Sequence, residues 1–461
     1  MKKNVKLFLG TAMAAMIGTA LTGCGSKAAE TSAETAANTT TEAAAGTEAG
    51  GEASTEAASE EVKNVRIWLA DGAEAEFYKT MLSDIDESHP EFTVEYEIYP
   101  NDELINKLQL APSVGDTPDL VVVDGLRVPL FMTQDMIAPI DSYISDDLKN
   151  DLLPSVIAEC TYGEQLYGVA QFDAGLSLWG NKSMLEEAGV RIPASYKEAW
   201  TKEEFEDALA KLKANGIEYP LYIRQNSPRT LYYTYLPIVR SFGGDLMNRE
   251  TMLTEGTLNS PETVEAFSYI TWLVDNQYID PLCDYEDGFF NKKENALSLV
   301  GHWATTNITD ALGEDAILVP IPDFGNGVYT GSGSTVWTMT TAAVDNGNAE
   351  AAWKVMEEAV STENVSEITK ANGGIPARKS VLEKDDRFVE GGQLYLYREQ
   401  LEAGISYLRP LTPAHQTNYD AVESAVSNIL LGADAKSELD NAAASVDSII
   451  KENGWNEWLS E

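Results

Sequence analysis

The sequence predicts an α/β protein of two domains, with the chain crossing between them. Three observations predict it. At 461 residues the chain exceeds the size at which a single core stops growing. Its folded part opens with strand and helix patterns in the order β-α-β-α-β, which argues for a mainly parallel sheet with helices on its faces. The stretch Tyr167 to Lys182, YGVAQFDAGLSLWGNK, is apolar at nearly alternate positions (Val169, Leu176, Leu178) and carries Gln171, Phe172 and Asp173 in its middle. A strand that leaves one domain for another takes its side chains past the cleft between them. The stretch reads as a first hinge crossing, with Asp173 as a polar group in that cleft. The alternative is a strand within a single sheet.

Composition narrows the partners. Lys and Arg total 32 against 74 Asp and Glu, a formal net charge of -42. Such a charge repels nucleic acid, anionic lipid surfaces and anionic ligands at long range, and suits a neutral or cationic ligand. With 44% apolar residues there is material for two cores. His89, His302 and His415 are scattered, and no Cys/His spacing suggests a metal, so no metal site and no cofactor is expected. Cys160 and Cys283, far apart in sequence, do not make a disulfide framework and read as small buried thiols; the alternative is a disulfide between them.

The N-terminus reads as an address. Lys2, Lys3 and Lys6 precede an apolar run from Leu7 to Leu21, too short for a comfortable membrane span. It ends in Leu21-Thr22-Gly23-Cys24, which resembles the lipobox of bacterial lipoproteins. The resemblance implies that residues 1–23 are a signal peptide and that Cys24 carries lipid. The alternative is an ordinary secretory leader with an incidental Cys. Residues 24–62 are almost entirely Ala, Thr, Ser, Glu and Gly, and cannot bury enough surface to offset ordering entropy. They read as a disordered acidic tether holding the folded part off the membrane.

The folded part begins with the strand Asn64 to Leu69. A helix from about Glu74 to Ser88 follows, with Phe77, Met81 and Ile85 on its buried face. Glu91 to Tyr99 is a strand of period two, Asp102 to about Leu110 a short helix, and Asp119 to Val123 an apolar strand closed by Asp124-Gly125. Ligands of open α/β sheets sit beyond the carboxyl ends of strands, where Asp71, Glu74 and Asp124 fall. A carboxylate there accepts hydroxyl hydrogen bonds from a polyol; the alternative is a cap for the next turn.

Past the crossing, Thr201-Lys-Glu-Glu204 is a capping box. Tyr219 to Arg224 is a strand, and Ser227-Pro228 starts a helix stopped at Gly243-Gly244. Asn226, Arg229 and Tyr232, with Gln225 and Tyr233, cluster at this junction as ligand candidates, or as packing. Ser260-Pro261 opens a helix with the stripe Val264, Phe267, Ile270 and Val274. Phe289 to Trp303 reads as a short helix, an apolar strand and then Gly301-His302-Trp303. Trp303 sits past a strand end, where its ring can stack on the apolar face of a sugar; the alternative is a core or rim Trp. Ile317 to Ile321 is a strand, and the turn before the strand Val336 to Met339 offers Ser334 and its backbone to a ligand; the alternative is a plain turn. Ala349 to Val360 is helical, and Gly373 to Arg378 is a loop that contributes Arg378 as a candidate. Two amphipathic helices close the chain, one marked by Tyr419, Val422, Val426 and Ile429, the other by Leu439, Ala443, Val446 and Ile450.

These pieces, in order, resemble extracellular solute-binding protein family 1, the sugar-binding lipoproteins of bacterial ABC importers. The resemblance covers about Val65 to Glu452. It is carried by the opening VRIW strand, GDTPDLVVVD, YGVAQFDAGLSLWGNKSMLEEAGV, FGGDLMN, LNSPETVEAFSYITWLVDNQYIDP, FFNKKENALSLVGHW, AAWKVMEEAV, GGIPARKSV and RPLTPAHQTNYDAVESAVSNILLG. One departure is Gly180, where the family usually has an aromatic residue before the Asn-Lys pair. The resemblance implies a two-lobed periplasmic-binding-protein-like fold, with a hinge between α/β lobes and Asp173 and Trp303 in the cleft. It places one lobe at 64–171 plus 320–358 and the other at 172–319 plus 359–461. It implies a lipid-anchored receptor on the extracellular face of the cell membrane and not an enzyme; a monomer is the simplest expectation for a receptor that closes on a hinge. Such a receptor captures a neutral mono- or oligosaccharide by hinge closure and hands it to ABC permease subunits. Alternatives are an oligopeptide or polyamine receptor of the same architecture, or a glycoside hydrolase with paired carboxylates.

Overall fold

The computed structural model describes residues 62–223, 232–280 and 287–457. Two sheets organise it. The first runs in the order Phe92–Tyr99, Lys63–Ala70, Leu120–Asp124, Thr335–Thr340, Ile137–Ala138, and Val169–Ala170 also pairs with Thr335–Thr340. Its first three strands are parallel, as the β-α-β-α-β pattern requires, and are joined by the helices Ala75–Ser88 and Asn101–Val114. The returning strand Thr335–Thr340 is antiparallel to its neighbours. The second sheet runs Leu221–Ile223, Leu297–Gly301, Leu176–Asn181, Ala316–Val319.

The stretch Tyr167 to Lys182 therefore does leave one sheet for the other. Val169–Ala170 lies in the first and Leu176–Asn181 in the second. The chain returns between Val319 and Thr335. Short ladders brace the junction, Phe172–Asp173 against Ile375–Pro376 and Thr330–Ser332 against Ser406–Leu408.

Two apolar clusters fill the fold, and the first reaches the second sheet through Trp179, Val300 and Ala316. Val65, Ile67, Val121, Val122, Val336 and Trp337 centre the first, and Leu178, Leu221, Leu297 and Leu299 the second. The helices His415–Leu430 and Ala435–Asn453 bury Tyr419, Val422, Val426, Ile429, Leu439 and Ala443 in the second cluster, with their inward faces as the periodicity predicts. The helix Thr362–Asn372 touches Ala75–Ser88 on one side and Thr305–Leu312 on the other, so it lies along the junction.

Local signals held where a named cap or stripe carried them. Thr201 and Glu204 form both halves of the capping box, and Ser260 caps the helix Pro261–Asp275. The predicted face of the first helix needs correction. Tyr78, Met81, Leu82 and Ile85 are buried, whereas Phe77 is only half-buried. Steps of four residues drift around a helix of 3.6 per turn, so the contact face follows mixed steps of three and four. The second helix begins at Asn101 and continues to Val114, past the expected end, with Gly115 left-handed at its C-cap. Cys160 is buried with a free thiol. No helix among the described residues is long and apolar enough to cross a membrane.

Gln171 shows how the crossing is anchored. Its amide oxygen accepts from the Trp337 indole N–H at 3.0 Å, and its amide nitrogen donates to the Ala359 carbonyl at 2.7 Å. All of this is buried. Gln171→Leu would leave the indole N–H and the carbonyl without partners, and is expected to destabilise the fold by about 2–4 kcal/mol. Urea unfolding followed by tryptophan fluorescence measures it; a change within about 0.5 kcal/mol would contradict this role.

Candidate ligand cleft

The carboxyl ends of both sheets open on one cleft of about 490 Å³. From the first sheet come Gly72, Ala73 and Glu74, beyond Lys63–Ala70, and Asp124, at the end of Leu120–Asp124. From the second come His302 and Trp303, just past Leu297–Gly301. The crossing segments add Phe172, Ala174, Gly333 and Ser334, and Arg409 arrives beyond Ser406–Leu408.

An ion pair and an aromatic wall dominate the geometry. Arg409 donates to both oxygens of Asp124, at 3.0 and 3.1 Å, a bidentate clasp between separate parts of the chain. Asp124 also accepts from the Leu126 N–H at 3.3 Å, so it caps the next turn as well as facing the cleft. The guanidinium lies 4.8 Å from the centre of the Tyr233 ring, and Tyr233 lies 5.9 Å from Trp303. Trp303 is half-buried and packs against both apolar clusters. Gly301 makes this possible: a Cβ there would sit 2.1 Å from the indole ring.

The polar groups are held in place by neighbours. Glu74 accepts from the Asn372 side-chain amide at 2.8 Å, and Asn372 in turn accepts from the Gly374 N–H at 2.8 Å. Burial holds the Glu74 carboxyl above its ordinary range, against the opposing pull of Asn372. Burial also pushes His302 down to about 3, so its ring is neutral at physiological pH. Its backbone N–H donates to Gly175 at 2.8 Å, and its ring lies 5.1 Å from Phe172 and 5.5 Å from Trp303. The Tyr233 hydroxyl and His302 Nδ1 are buried with no hydrogen-bond partner in the protein. Orphaned polar atoms in the walls of a cleft are sites at which a hydroxylated ligand gains hydrogen bonds.

The structure brings Glu74, Asp124, Trp303 and Ser334 together in the cleft wall. Asp173 lies beneath it, 1% exposed, accepting from the Ser332 hydroxyl at 2.9 Å and the Gly333 N–H at 3.1 Å. Asp71 is exposed beside Gly72, and its N–H donates to Tyr99 at 2.7 Å. Tyr232 is not in the wall. It is buried against His415 and Tyr419, with its hydroxyl accepting from Asn418 at 3.1 Å. Arg378 is not in the wall either. It donates to Asp151 at 2.7 Å and to the Val360 carbonyl at 3.1 Å, and so clamps its own loop. Asn226, Arg229, Cys24 and Cys283 lie outside the described residues.

Arg409, His302 and Phe172 are cleft residues that sequence reasoning did not select. Arg409 opens the RPLTPAHQ segment and had no partner in view, because Asp124 is remote from it in sequence. His302 stood next to a chosen residue, and only its neutral state suits it to the site.

Comparison with known proteins follows the same lines. The model of bacterial extracellular solute-binding proteins matches residues 69–366. A putative binding protein of Brucella abortus is 24% identical over 387 residues, 81% of this chain and 90% of that one. The maltotriose-binding protein of Pyrococcus abyssi is 23% identical over 359 residues, 74% of this chain and 71% of its own length. Among solved structures, the GacH receptor of Streptomyces glaucescens matches with a TM-score of 0.71 at 21% identity, covering 85% of this chain and 98% of its own. The maltose/maltodextrin-binding domain MalE of Bdellovibrio bacteriovorus matches with a TM-score of 0.71 at 19% identity, covering 84% and 100%. That likeness is one of fold, two α/β lobes with a cleft between them. The chain belongs to the bacterial extracellular solute-binding protein family.

Proposed function

We propose that this protein captures a neutral mono- or oligosaccharide in the cleft and delivers it to the permease subunits of an ABC importer. The observation that carries the reading is Trp303, half-buried at a strand end beside Tyr233 and against both apolar clusters. An aromatic face flanked by a carboxylate–guanidinium pair complements the C–H faces and hydroxyl edges of a sugar. The names of relatives support the same class: maltotriose for the Pyrococcus abyssi protein, acarbose for the Streptomyces glaucescens receptor and maltotriose for the Bdellovibrio bacteriovorus domain.

The mechanism is differential binding by two half-sites. A sugar on the Trp303 side gains the Asp124 and Glu74 side only when the lobes close, so it shifts the population toward the closed form. The proposed lobes are 64–171 plus 320–358 and 172–319 plus 359–461, with the helix Thr362–Asn372 along their junction. The closed form is the one the permease accepts. Lipid on Cys24, after removal of residues 1–23, holds the receptor at the extracellular face of the membrane as a monomer. No covalent step is needed: Arg409 occupies both oxygens of Asp124, so that carboxylate is not free to act as a nucleophile.

A thermal-shift screen of mono- and oligosaccharides, peptides and polyamines tests the class. A ligand at about a hundred times its Kd adds about 2.7 kcal/mol of stability. A neutral sugar should stabilise the protein; stabilisation by peptides or polyamines alone would overturn the reading. Raised salt should leave sugar affinity nearly unchanged, whereas affinity for a cation would fall. Trp303→Ala should weaken sugar binding about ten- to hundredfold by calorimetry, the loss expected for about 1.5–3 kcal/mol of buried aromatic surface. Unchanged affinity would remove Trp303 from the site.

A further inference from the structure

Behind the Asp124–Arg409 clasp stands a carboxyl group that neither the cleft wall nor the hinge uses. Glu159 lies in the last turn of the helix Pro154–Cys160, is 1% exposed, and has one carboxyl oxygen buried without a hydrogen-bond partner. It fills space that only glycine leaves open: a Cβ on Gly125 would sit 2.4 Å from that oxygen. The place where a Gly333 Cβ would stand lies 3.5 Å from the same oxygen and 3.0 Å from the Arg409 guanidinium. That one position thus lies near both the Glu159 carboxyl and the guanidinium that Asp124 clasps.

Its surroundings are acidic. The helix packs against Val169–Ala170, against Phe172–Asp173 and against the turn Gly125–Arg127. The charged and titratable groups around Glu159 are Asp124, Asp173 and Arg409, with Arg127 in the adjoining turn and Cys160 and Tyr162 beyond it in the chain. Burial pushes its carboxyl up to about 8, and the Asp124 and Asp173 carboxyls push the same way. The Arg409 guanidinium and the Ser334 hydroxyl pull against them. Burial moves the Cys160 thiol and the Tyr162 and Tyr233 hydroxyls well above their ordinary ranges.

We propose that Glu159 is a positioning residue of the cleft: as the neutral acid it leaves Arg409 to Asp124, and on ionising it draws Arg409 away and loosens the sugar-binding floor. The inference rests on the sugar-receptor reading for its consequence, but its chemistry exists without ligand. The neutral acid keeps the cluster at two carboxylates and one guanidinium. The ionised form adds a third carboxylate beside the same cation, which the buried site cannot solvate. Sugar affinity should therefore be full at neutral pH and fall as pH rises through about 8.

The test has two parts, both on the full chain in a detergent without a sugar headgroup. Carbon-13 NMR of labelled glutamate carboxyls, with Glu159 assigned by its absence in Glu159→Gln, reads its titration in the ligand-free protein. The midpoint should lie near 8, move down in Asp124→Asn and move up in Arg409→Met. An ordinary glutamate midpoint, or one indifferent to both substitutions, would overturn the proposal. Calorimetry with maltotriose should show affinity falling about tenfold from about pH 6.5 to about pH 9 in the wild type, with Glu159→Gln flat. Equal pH dependence in the two proteins would also overturn it. If maltotriose binds neither protein at either pH, the sugar reading fails for that probe, and the carboxyl titration alone decides the role of Glu159.

Discussion

The buried carboxylate of Asp173 is the constraint on which the rest of the molecule depends. It sits where the chain leaves the first sheet, and it accepts hydrogen bonds from Ser332 and Gly333, where the chain comes back. Ala174 donates to the Gly333 carbonyl at 2.8 Å, closing the same junction through the backbone. Outgoing and returning strands are thus tied at one point. A buried carboxyl unsupported by such donors would be costly, so the crossing geometry and the hydrogen bonds require each other. Burial still raises the Asp173 carboxyl above its usual range, with its hydrogen bonds opposing.

From that junction the cleft inherits its chemistry. Asp124 and Arg409 meet above Asp173, and Glu159 fills the space behind them. The guanidinium serves the Tyr233 face as well as the carboxylate, so one cation orients both an acceptor and an aromatic wall. In the cleft wall the Asp124 charge is paired by Arg409, His302 is neutral, and Glu74 accepts from the Asn372 amide. Such a site offers shape, stacking surfaces and directed hydrogen bonds to whatever enters the cleft.

The fold was legible because its signals are periodic and local. Parallel strands, capping residues and the alternation before Leu176 each have short-range causes, and the structure reproduces them. The place of Asp124 and Trp303 in the cleft wall was legible for a related reason, since clefts of open α/β sheets lie beyond strand ends. What was not legible depends on distant pairing. Tyr232 and Tyr233 are adjacent, and only the packing of Tyr232 against His415 and Tyr419 decides that Tyr233 faces the cleft. Arg378 resembles a ligand arginine until Asp151, far away in sequence, claims it. Glu159 had no marker: its role comes from the missing side chains of Gly125 and Gly333 and from Arg409, none of them near it in sequence.

The central claim is that ligand closes two lobes about a fixed pivot. It is tested most directly by the distance between spin labels at Glu76→Cys and Asp310→Cys. These are exposed positions on the helices Ala75–Ser88 and Thr305–Leu312, which start on opposite walls of the cleft. Double electron–electron resonance should show a shorter and narrower distance distribution when a stabilising sugar is added. A bound sugar that leaves the distribution unchanged would contradict the account.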